Sequence, residues 1–283
     1  MNKNTIILFL CLLPVVSLAQ NITYLGGSCD NNRIKLSPQE KIDTCLFECI
    51  YLHTTTDPKH NVFQTERYEI LQIGEMFSKY SEYGRYRLDS VLSCRDISKI
   101  RKAEYAEMYS RYKPKSDLLI REIGSDKLVA YDRVFIDNYT YTDSLYDLNW
   151  QLSDETKTVC GQQCRKATCD FRGRKWSAWY CDLPIACGPW KFSGLPGLIL
   201  EVEDSTKEHF ISAISVRKAH STIMETKKNY LRTTREKFNR TLDYYMKNSG
   251  KVISGSVAAP KNRDGSPKRL PNRKRFFNPM ERE

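Results

Sequence analysis

The feature that most constrains the fold is a succession of β-type segments joined by short turns between residues 117 and 217. Segments 118–123 and 127–131 flank the turn at Gly124, and segments 166–171 and 175–181 flank the turn at Gly173. Strands joined by short turns without intervening helices form antiparallel meanders. The sequence therefore predicts an α+β fold: a curved antiparallel β-sheet, with a half-barrel as one form it can take, and two or three packed helices.

Apolar residues recur at three- and four-residue spacing in two segments, which predicts helices near 96–112 and 221–247. The first stripe contains Ile97, Ile100, Tyr105, Met108 and Tyr112, and the second contains Leu231, Phe238, Leu242 and Tyr245. Pro114 is a stop signal for the first helix.

The N-terminus has the pattern of a cleavable signal peptide, residues 1–19. A short basic start precedes an apolar run too short to span a bilayer, and the cleavage site is expected near Ala19-Gln20. No later stretch is apolar for long enough to form a membrane helix, so we expect no transmembrane segment after signal cleavage. The sequence thus predicts a periplasmic or secreted protein.

Composition divides the remaining chain into three parts. Residues 20–60 form a Cys-containing N-terminal segment, residues 61–248 a β-rich domain, and residues 249–283 a basic, Pro/Gly-rich tail. From residue 251 onward the chain has nine Lys or Arg and three Asp or Glu. This excess of positive charge is more than half of the formal net charge of +11 of the whole chain. Such a tail suits an anionic surface, and export makes nucleic acid an improbable partner.

Ten cysteines are present, and an oxidising compartment favours disulfides among them. The 172–174 turn places Cys181 opposite residue 164 or 165, so a cross-strand disulfide with Cys164 fits the hairpin. Cys45 and Cys49 would share one face of a helix, although their segment also reads as a strand. The disulfide candidates are Cys45, Cys49, Cys164, Cys181 and Cys187.

The same cysteines support an alternative function. Thiolates of Cys160, Cys164 and Cys169 would bind a soft metal, copper or zinc, and the chain would then be a metal-handling protein. No Cys-x2-Cys pair supports a zinc ribbon, and otherwise we expect no cofactor.

Motifs for known catalytic chemistry are absent from the sequence. The four histidines include no pair at i, i+4 spacing, and no nucleophile elbow, P-loop or dinucleotide glycine pattern occurs. His209 reads as a surface or hydrogen-bonded histidine. The sequence therefore favours a non-enzymatic protein and leaves a hydrolase without a recognisable motif as a third hypothesis.

The segment CGPWKFSGLPGLILEVED, residues 187–204, combines Gly and Pro with an apolar run. Pro196-Gly197 suits the centre of a type II turn, after which Leu198, Leu200 and Val202 would alternate inward as a strand. We interpret Gly188, Pro189, Gly194, Pro196 and Gly197 as structural. A ligand-binding platform or core packing would explain the neighbouring apolar residues, which are Trp176, Trp179, Tyr180, Trp190, Phe192, Leu195 and Pro196.

Residues 194–199, GLPGLI, resemble the signature of the GLPGLI family, which are exported proteins of Gram-negative bacteria. The approach to it, residues 164–192, and the closing Phe277-Asn278-Pro279 also resemble that family. The resemblance implies an envelope location and no assigned reaction. Cys181 and Cys187 are additions to the family pattern, which favours a local disulfide. The leading hypothesis is an exported protein that binds a hydrophobic or peptide ligand, or an envelope partner, near this segment.

Overall fold

The computed structural model of the chain describes residues 32–57, 62–144, 148–273 and 276–282. The predicted signal peptide, residues 1–19, and Cys29 lie outside the described residues. The strands are β1 Gln39–Thr44, β2 Phe47–Asp57, β3 Val62–Ile73, β4 Phe77–Glu82, β5 Leu118–Glu122, β6 Lys127–Val134, β7 Asp137–Ser144, β8 Gln151–Val159, β9 Gln162–Phe171, β10 Arg174–Cys181, β11 Leu198–Asp204, β12 His209–Lys218, β13 Thr222–Thr226 and β14 Leu231–Arg232. The helices are α1 Tyr83–Ser93, α2 Lys102–Tyr112 and α3 Arg235–Ser254.

One large sheet organises the fold. Its strand order is β14-β7-β6-β5-β4-β3-β2-β12-β11-β10-β9-β8, and β1 pairs separately with β13. Neighbouring strands are antiparallel except at the β14–β7 pair, which is parallel. Most neighbours in the sheet are also neighbours in sequence, as a meander requires. The predicted α+β class with a curved antiparallel sheet is confirmed, and the sheet is not closed into a barrel.

Strand β11 lies at the centre of the core and is buried on both faces. Leu198 and Leu200 pack in one apolar cluster with residues of β2, β3 and β12, whereas Ile199 and Val202 pack in a second cluster with Trp176. The pairing of β10 with β11 shifts register between Trp179 and Tyr180, which is a β-bulge. Because the bulge reverses the alternation of side chains, Val202 lies on the face of Ile199 and not, as expected, on that of Leu200.

The helices depart from the predicted bounds at their N-terminal ends. The helix expected near 96–112 is α2, preceded by a short 3-10 helix at Ile97–Lys99. The helix expected near 221–247 is α3, which begins only after its N-cap residue, Thr234. The first part of that prediction is wrong, because Thr222–Thr226 pairs with β1 as a strand.

The C-terminal part of the chain is not wholly a solvated tail. Helix α3 continues through Ser254, and residues 278–282 form hydrogen bonds with the sheet side of the molecule. Within the described residues, no helix is long and apolar enough to cross a membrane.

Candidate functional site

A cleft of about 700 Å³ lies beside helix α3, and we call it the central cleft. Strands β2, β3, β5, β6 and β7 contribute one part of its lining, and α3 with residues 276–281 contributes another. Its apolar lining includes Leu118, Leu119, Trp190, Phe238, Leu242 and Phe276. Its charged lining includes Arg67, Glu69, Asp117, Asp132 and Lys191. A lining of mixed character fits an amphipathic ligand.

Two carboxylates belong to this lining. Asp117 directly precedes strand β5, and Asp132 lies on strand β6. Arg67 Nη1 contacts Asp117 Oδ2 at 3.1 Å. The Asp132 carboxylate accepts hydrogen bonds from Ser116 Oγ, at 2.7 Å, and from the Arg133 backbone N–H. Burial, followed by repulsion from Asp117, raises the pKa of Asp132 to about 6. Among the described residues no cation forms an ion pair with Asp132, so this corner of the cleft favours a positively charged group.

A line of buried polar side chains runs along one side of the cleft. The Nδ1 of His53 lies 3.3 Å from Glu69 Oε2, and its Nε2 lies 3.2 Å from His209 Nδ1. Burial alone would raise the pKa of Glu69, but the charges of Arg67 and His53 lower it to about 2. Tyr80 also donates its hydroxyl hydrogen to Glu69. Glu69 is therefore an ionised carboxylate that orients the His53 ring.

His209 is the inner end of this line. Burial, followed by the proximity of His53 and Arg174, lowers the pKa of His209 to about 3, so the ring is neutral at pH 7. The neutral His209 ring carries one hydrogen, either on Nδ1, which contacts His53, or on Nε2. That Nε2 is buried without a hydrogen-bond partner in the described part of the chain. Sequence patterns do not reveal this pair, because the two histidines are 156 positions apart.

The C-terminal residues are held at the cleft by Arg174, which follows the 172–173 turn. Arg174 Nη2 donates to Asn278 Oδ1 at 2.6 Å and to the Pro279 carbonyl oxygen at 2.8 Å, and Nε donates to the Met280 carbonyl oxygen at 3.1 Å. Its Nη1 contacts the Asp204 carboxylate at 2.7 Å. The Arg174 side chain is 1% exposed, so these bonds form in a site that excludes water.

Lys191 forms a second attachment for the same segment. Its ammonium group lies 2.8 Å from Asp143 Oδ2 and also contacts Glu281. Arg235 Nη1, at the start of α3, lies 2.9 Å from the other oxygen of Glu281. Although burial opposes the charged form, Tyr141 and the two carboxylates raise the pKa of Lys191. Arg174 and Lys191 together form what we call the C-terminal clasp.

The Gly and Pro residues of segment 187–204 have structural roles. A Cβ on Gly197 would lie 1.8 Å from the Cys181 carbonyl oxygen, and one on Gly188 would lie 2.8 Å from Ile199 Cβ. Gly194 has φ of +84°, which favours glycine. Pro189 is buried and Pro196 is exposed. The close approaches require glycine and hold the segment against the hairpin β9–β10.

The residues of the predicted aromatic platform lie in different parts of the structure. Trp176, Tyr180, Phe192 and Leu195 are buried in the core, where packing is their role. Trp179 is half-buried outside the cleft, with Lys157 Nζ 4.5 Å from its ring centroid. Trp190 is half-buried and lines the central cleft. Of the predicted ligand contacts, Trp190 alone lies at the cleft within the described residues.

The eight described cysteines are free thiols in this structure. Cys164 and Cys181 lie directly opposite each other on β9 and β10, as the hairpin predicts. Cys164 and Cys169 pack in different clusters on the two faces of the sheet, so they do not converge on one metal ion. Among the described residues, no group of three or more His, Cys, Asp or Glu side chains is arranged to hold a metal.

One comparison with known proteins finds a family similarity along a segment, and another finds solved structures with a similar fold. A family model described as "Protein of unknown function (Porph_ging)" matches residues 171–201, from the end of β9 into β11. No curated protein matches the chain. A solved structure of PNGF-II in space group P21 has 11% identity and a TM-score of 0.50, covering 71% of this chain and 34% of that one.

A second PNGF-II structure, in space group C2, has 12% identity and a TM-score of 0.49, with 71% and 33% covered. The chain thus spans about a third of the length of the solved structures it matches. The chain is therefore similar to the Porph_ging family, whose function is unknown, along the segment that contains Arg174 and Lys191, and its similarity to PNGF-II concerns the fold alone.

Proposed function

We propose that the protein is a non-enzymatic binding protein of the cell envelope, which holds an amphipathic peptide in the central cleft. The peptide would place a Lys or Arg side chain at Asp132 and an apolar side chain against Trp190. No cofactor is needed for this binding.

The observation that carries the proposal is the environment of the Asp132 carboxylate and its raised pKa. This carboxylate lines a cleft and lies near a second carboxylate, and among the described residues no cation pairs with it. Its pKa of about 6 shows that the charged form is disfavoured at this position. A bound ammonium or guanidinium group would favour the charged form, and the ligand would gain from that interaction.

The apolar lining supplies the second part of the proposal. Trp190 lies against Phe171 and Phe192, with ring centroids 5.8 and 5.3 Å apart. The ring is thus fixed by its neighbours while part of its surface remains open. A rigid aromatic surface binds an apolar side chain at low entropic cost.

The test uses a fluorescent hexapeptide with one Lys flanked by Leu residues, titrated by anisotropy at pH 7.5. We expect Asp132→Asn and Trp190→Ala each to weaken binding at least tenfold. Trp179→Ala and Asp182→Asn are the matched controls, because these residues do not line the cleft, and both should bind as the wild type does. Circular dichroism checks that each variant is folded.

The pH dependence provides a second readout. Because the pKa of Asp132 is raised to about 6, the cationic peptide should bind more weakly at pH 5 than at pH 7.5. Equal affinity for a peptide with Glu in place of Lys, or unchanged binding by folded Asp132→Asn, would contradict the proposal.

A further inference from the structure

A second groove, of about 1020 Å³, lies beside the edge strand β7. Strands β6 and β7 and residues 225–236 line it, and we call it the edge groove. Tyr131 pairs with Thr140 across the two strands, and Val129 pairs with Thr142. The Tyr131 hydroxyl donates a hydrogen bond to the Glu225 carboxylate on β13 at 2.5 Å. This bond connects the β6 part of the lining to the part formed by residues 225–236.

Strand β14 covers only the first part of the β7 edge. It pairs at two positions, Leu231 with Tyr139 and Arg232 with Thr140. The Thr233 N–H then donates to the Thr140 carbonyl oxygen at 3.0 Å. Thr140 therefore directs its backbone carbonyl away from β6 and toward the edge.

The same geometry leaves the backbone of Thr142 open. In an antiparallel strand the N–H and C=O of one residue point to the same side, and residues two apart point alike. Thr142 must then present both groups to the edge at which Thr140 meets β14. Within residues 32–57, 62–144, 148–273 and 276–282, no backbone partner occupies that side of Thr142. An open edge of this kind is a template for strand addition.

The lining of the edge groove is electropositive at two exposed side chains. Lys228 and Arg232 line it, and neither forms an ion pair with a described carboxylate. Lys227 differs, because it is paired with Glu40 and Glu225. Partial burial, followed by the positive charges of Arg85 and Arg133, lowers the pKa of Lys228, and Asp89 opposes this shift. A carboxylate beside these two cations would be the complementary group.

We propose that the edge groove docks an extended acidic segment of a partner protein. The segment adds to β7 as a strand, with hydrogen bonds to the Thr142 N–H and C=O, and an Asp or Glu side chain contacts Lys228 and Arg232. This site is separate from the Asp132 corner and binds a ligand of opposite charge, so it does not rest on the function proposed for the central cleft.

The probe is a fluorescein-labelled peptide of alternating Thr and Glu, titrated at low salt by anisotropy. We expect Thr142→Pro to weaken binding at least tenfold, because proline removes the outward N–H and edge strands tolerate it. Thr142→Val keeps the N–H and should bind as the wild type does. Lys228→Ala combined with Arg232→Ala should also lose at least tenfold, whereas Asp132→Asn should bind normally.

A second measurement does not depend on the folding of a variant. The same peptide N-methylated at alternate amides keeps its charge but cannot pair with β7, and we expect it not to bind the wild-type protein. Equal binding of the methylated peptide would overturn the proposal, as would folded Thr142→Pro with wild-type affinity or no saturable binding of the acidic peptide. A concentration-dependent dimer of the free protein that Thr142→Pro dissociates would identify a second copy as the occupant and would likewise overturn it.

Discussion

Arg174 Nη2 donates a hydrogen bond to the Pro279 carbonyl oxygen across 2.8 Å, and so joins the hairpin β9–β10 to the C-terminal part of the chain. The same guanidinium group balances the Asp204 and Glu208 carboxylates. The 172–174 turn, which lies in the segment matched by the Porph_ging family model, thus contacts residues 278–280.

Replacing Arg174 with Met should destabilise the protein strongly. The change leaves the buried Asp204 carboxylate without its cation, whereas Glu208 keeps Arg282. Breaking a buried ion pair in this way costs about 3–5 kcal/mol. Arg165→Met is the control, because its ion pair with Asp182 is exposed and contributes little to stability. Urea unfolding monitored by fluorescence measures both values, and equal stability of the two variants would refute the clasp.

Replacing Gly197 with Ala should lower the free energy of unfolding by about 3 kcal/mol, at the upper end of overpacking effects. The new methyl group would meet the Cys181 carbonyl oxygen at 1.8 Å. Gly255→Ala is the control, since its nearest contact is 3.4 Å away, and we expect a change within about 0.5 kcal/mol. A Gly197→Ala protein as stable as the control would show that the turn can move away.

Acidification should weaken the fold through His209. Its folded pKa is about 3, below the usual histidine pKa of 6.5, so the unfolded state binds more protons between these values. Stability is therefore lost as the pH falls from about 6.5 toward 3, by at most about 1.4 kcal/mol per pH unit for one group. His209→Gln should reduce this slope, measured by urea unfolding at pH 7, 6, 5 and 4. An unchanged slope would mean that His209 is protonated in the folded protein.

Two thiols should be reactive in the native protein. Cys94 and Cys160 are exposed, whereas the other described cysteines are buried. Burial raises the pKa of Cys49 and Cys169 to about 12 and that of Cys164 to about 11, so these groups hold little thiolate at pH 8. Maleimide labelling followed by peptide mapping should find rapid modification at Cys94 and Cys160 only, among the described thiols. Comparable rates at Cys164 would contradict the structure.

The pairing of Cys164 with Cys181 is a separate prediction for protein recovered from an oxidising compartment. The two residues face each other in the hairpin register, so we expect a fraction of the protein to carry this disulfide. Non-reducing peptide mapping would detect the linked peptides. Cys187 pairs its backbone with Ser193 and serves as the comparison, and a Cys181–Cys187 link found instead would support the local disulfide that the family resemblance implies.

The fold could be read from the sequence because its strands are joined by short turns, and hairpins such as β9–β10 are specified locally. The predicted face of Val202 is wrong because a β-bulge depends on the pairing of two strands. Such a bulge cannot be recognised from the alternation of apolar and polar residues in one strand. The helix prediction for Thr222–Thr226 is wrong because this segment forms a strand with Gln39–Thr44, which is distant in sequence. The 278–282 contacts were missed because a basic, Pro-rich composition is typical of a solvated tail.

The candidate site was harder to predict than the fold. Trp190 was singled out among the aromatic residues in and near segment 187–204, but Trp176 and Phe192 belong to the same group and are core residues. Asp132 and the His53–His209 pair come from strands far apart in sequence, and only the assembled sheet brings such side chains to one cleft. Burial and convergence are properties of the tertiary structure, which periodicity within one element cannot encode.

The C-terminal clasp also sets an order of events during synthesis. Arg174 and Asn278 are separated by 104 positions, so their contact forms only after residues that are synthesised long after strand β10. Until then the Arg174 guanidinium group lacks three of its acceptors, and the central cleft lacks the part of its lining that residues 276–281 provide. A variant truncated before residue 276 would therefore hold an incomplete cleft, and we expect it to bind the proposed peptide more weakly.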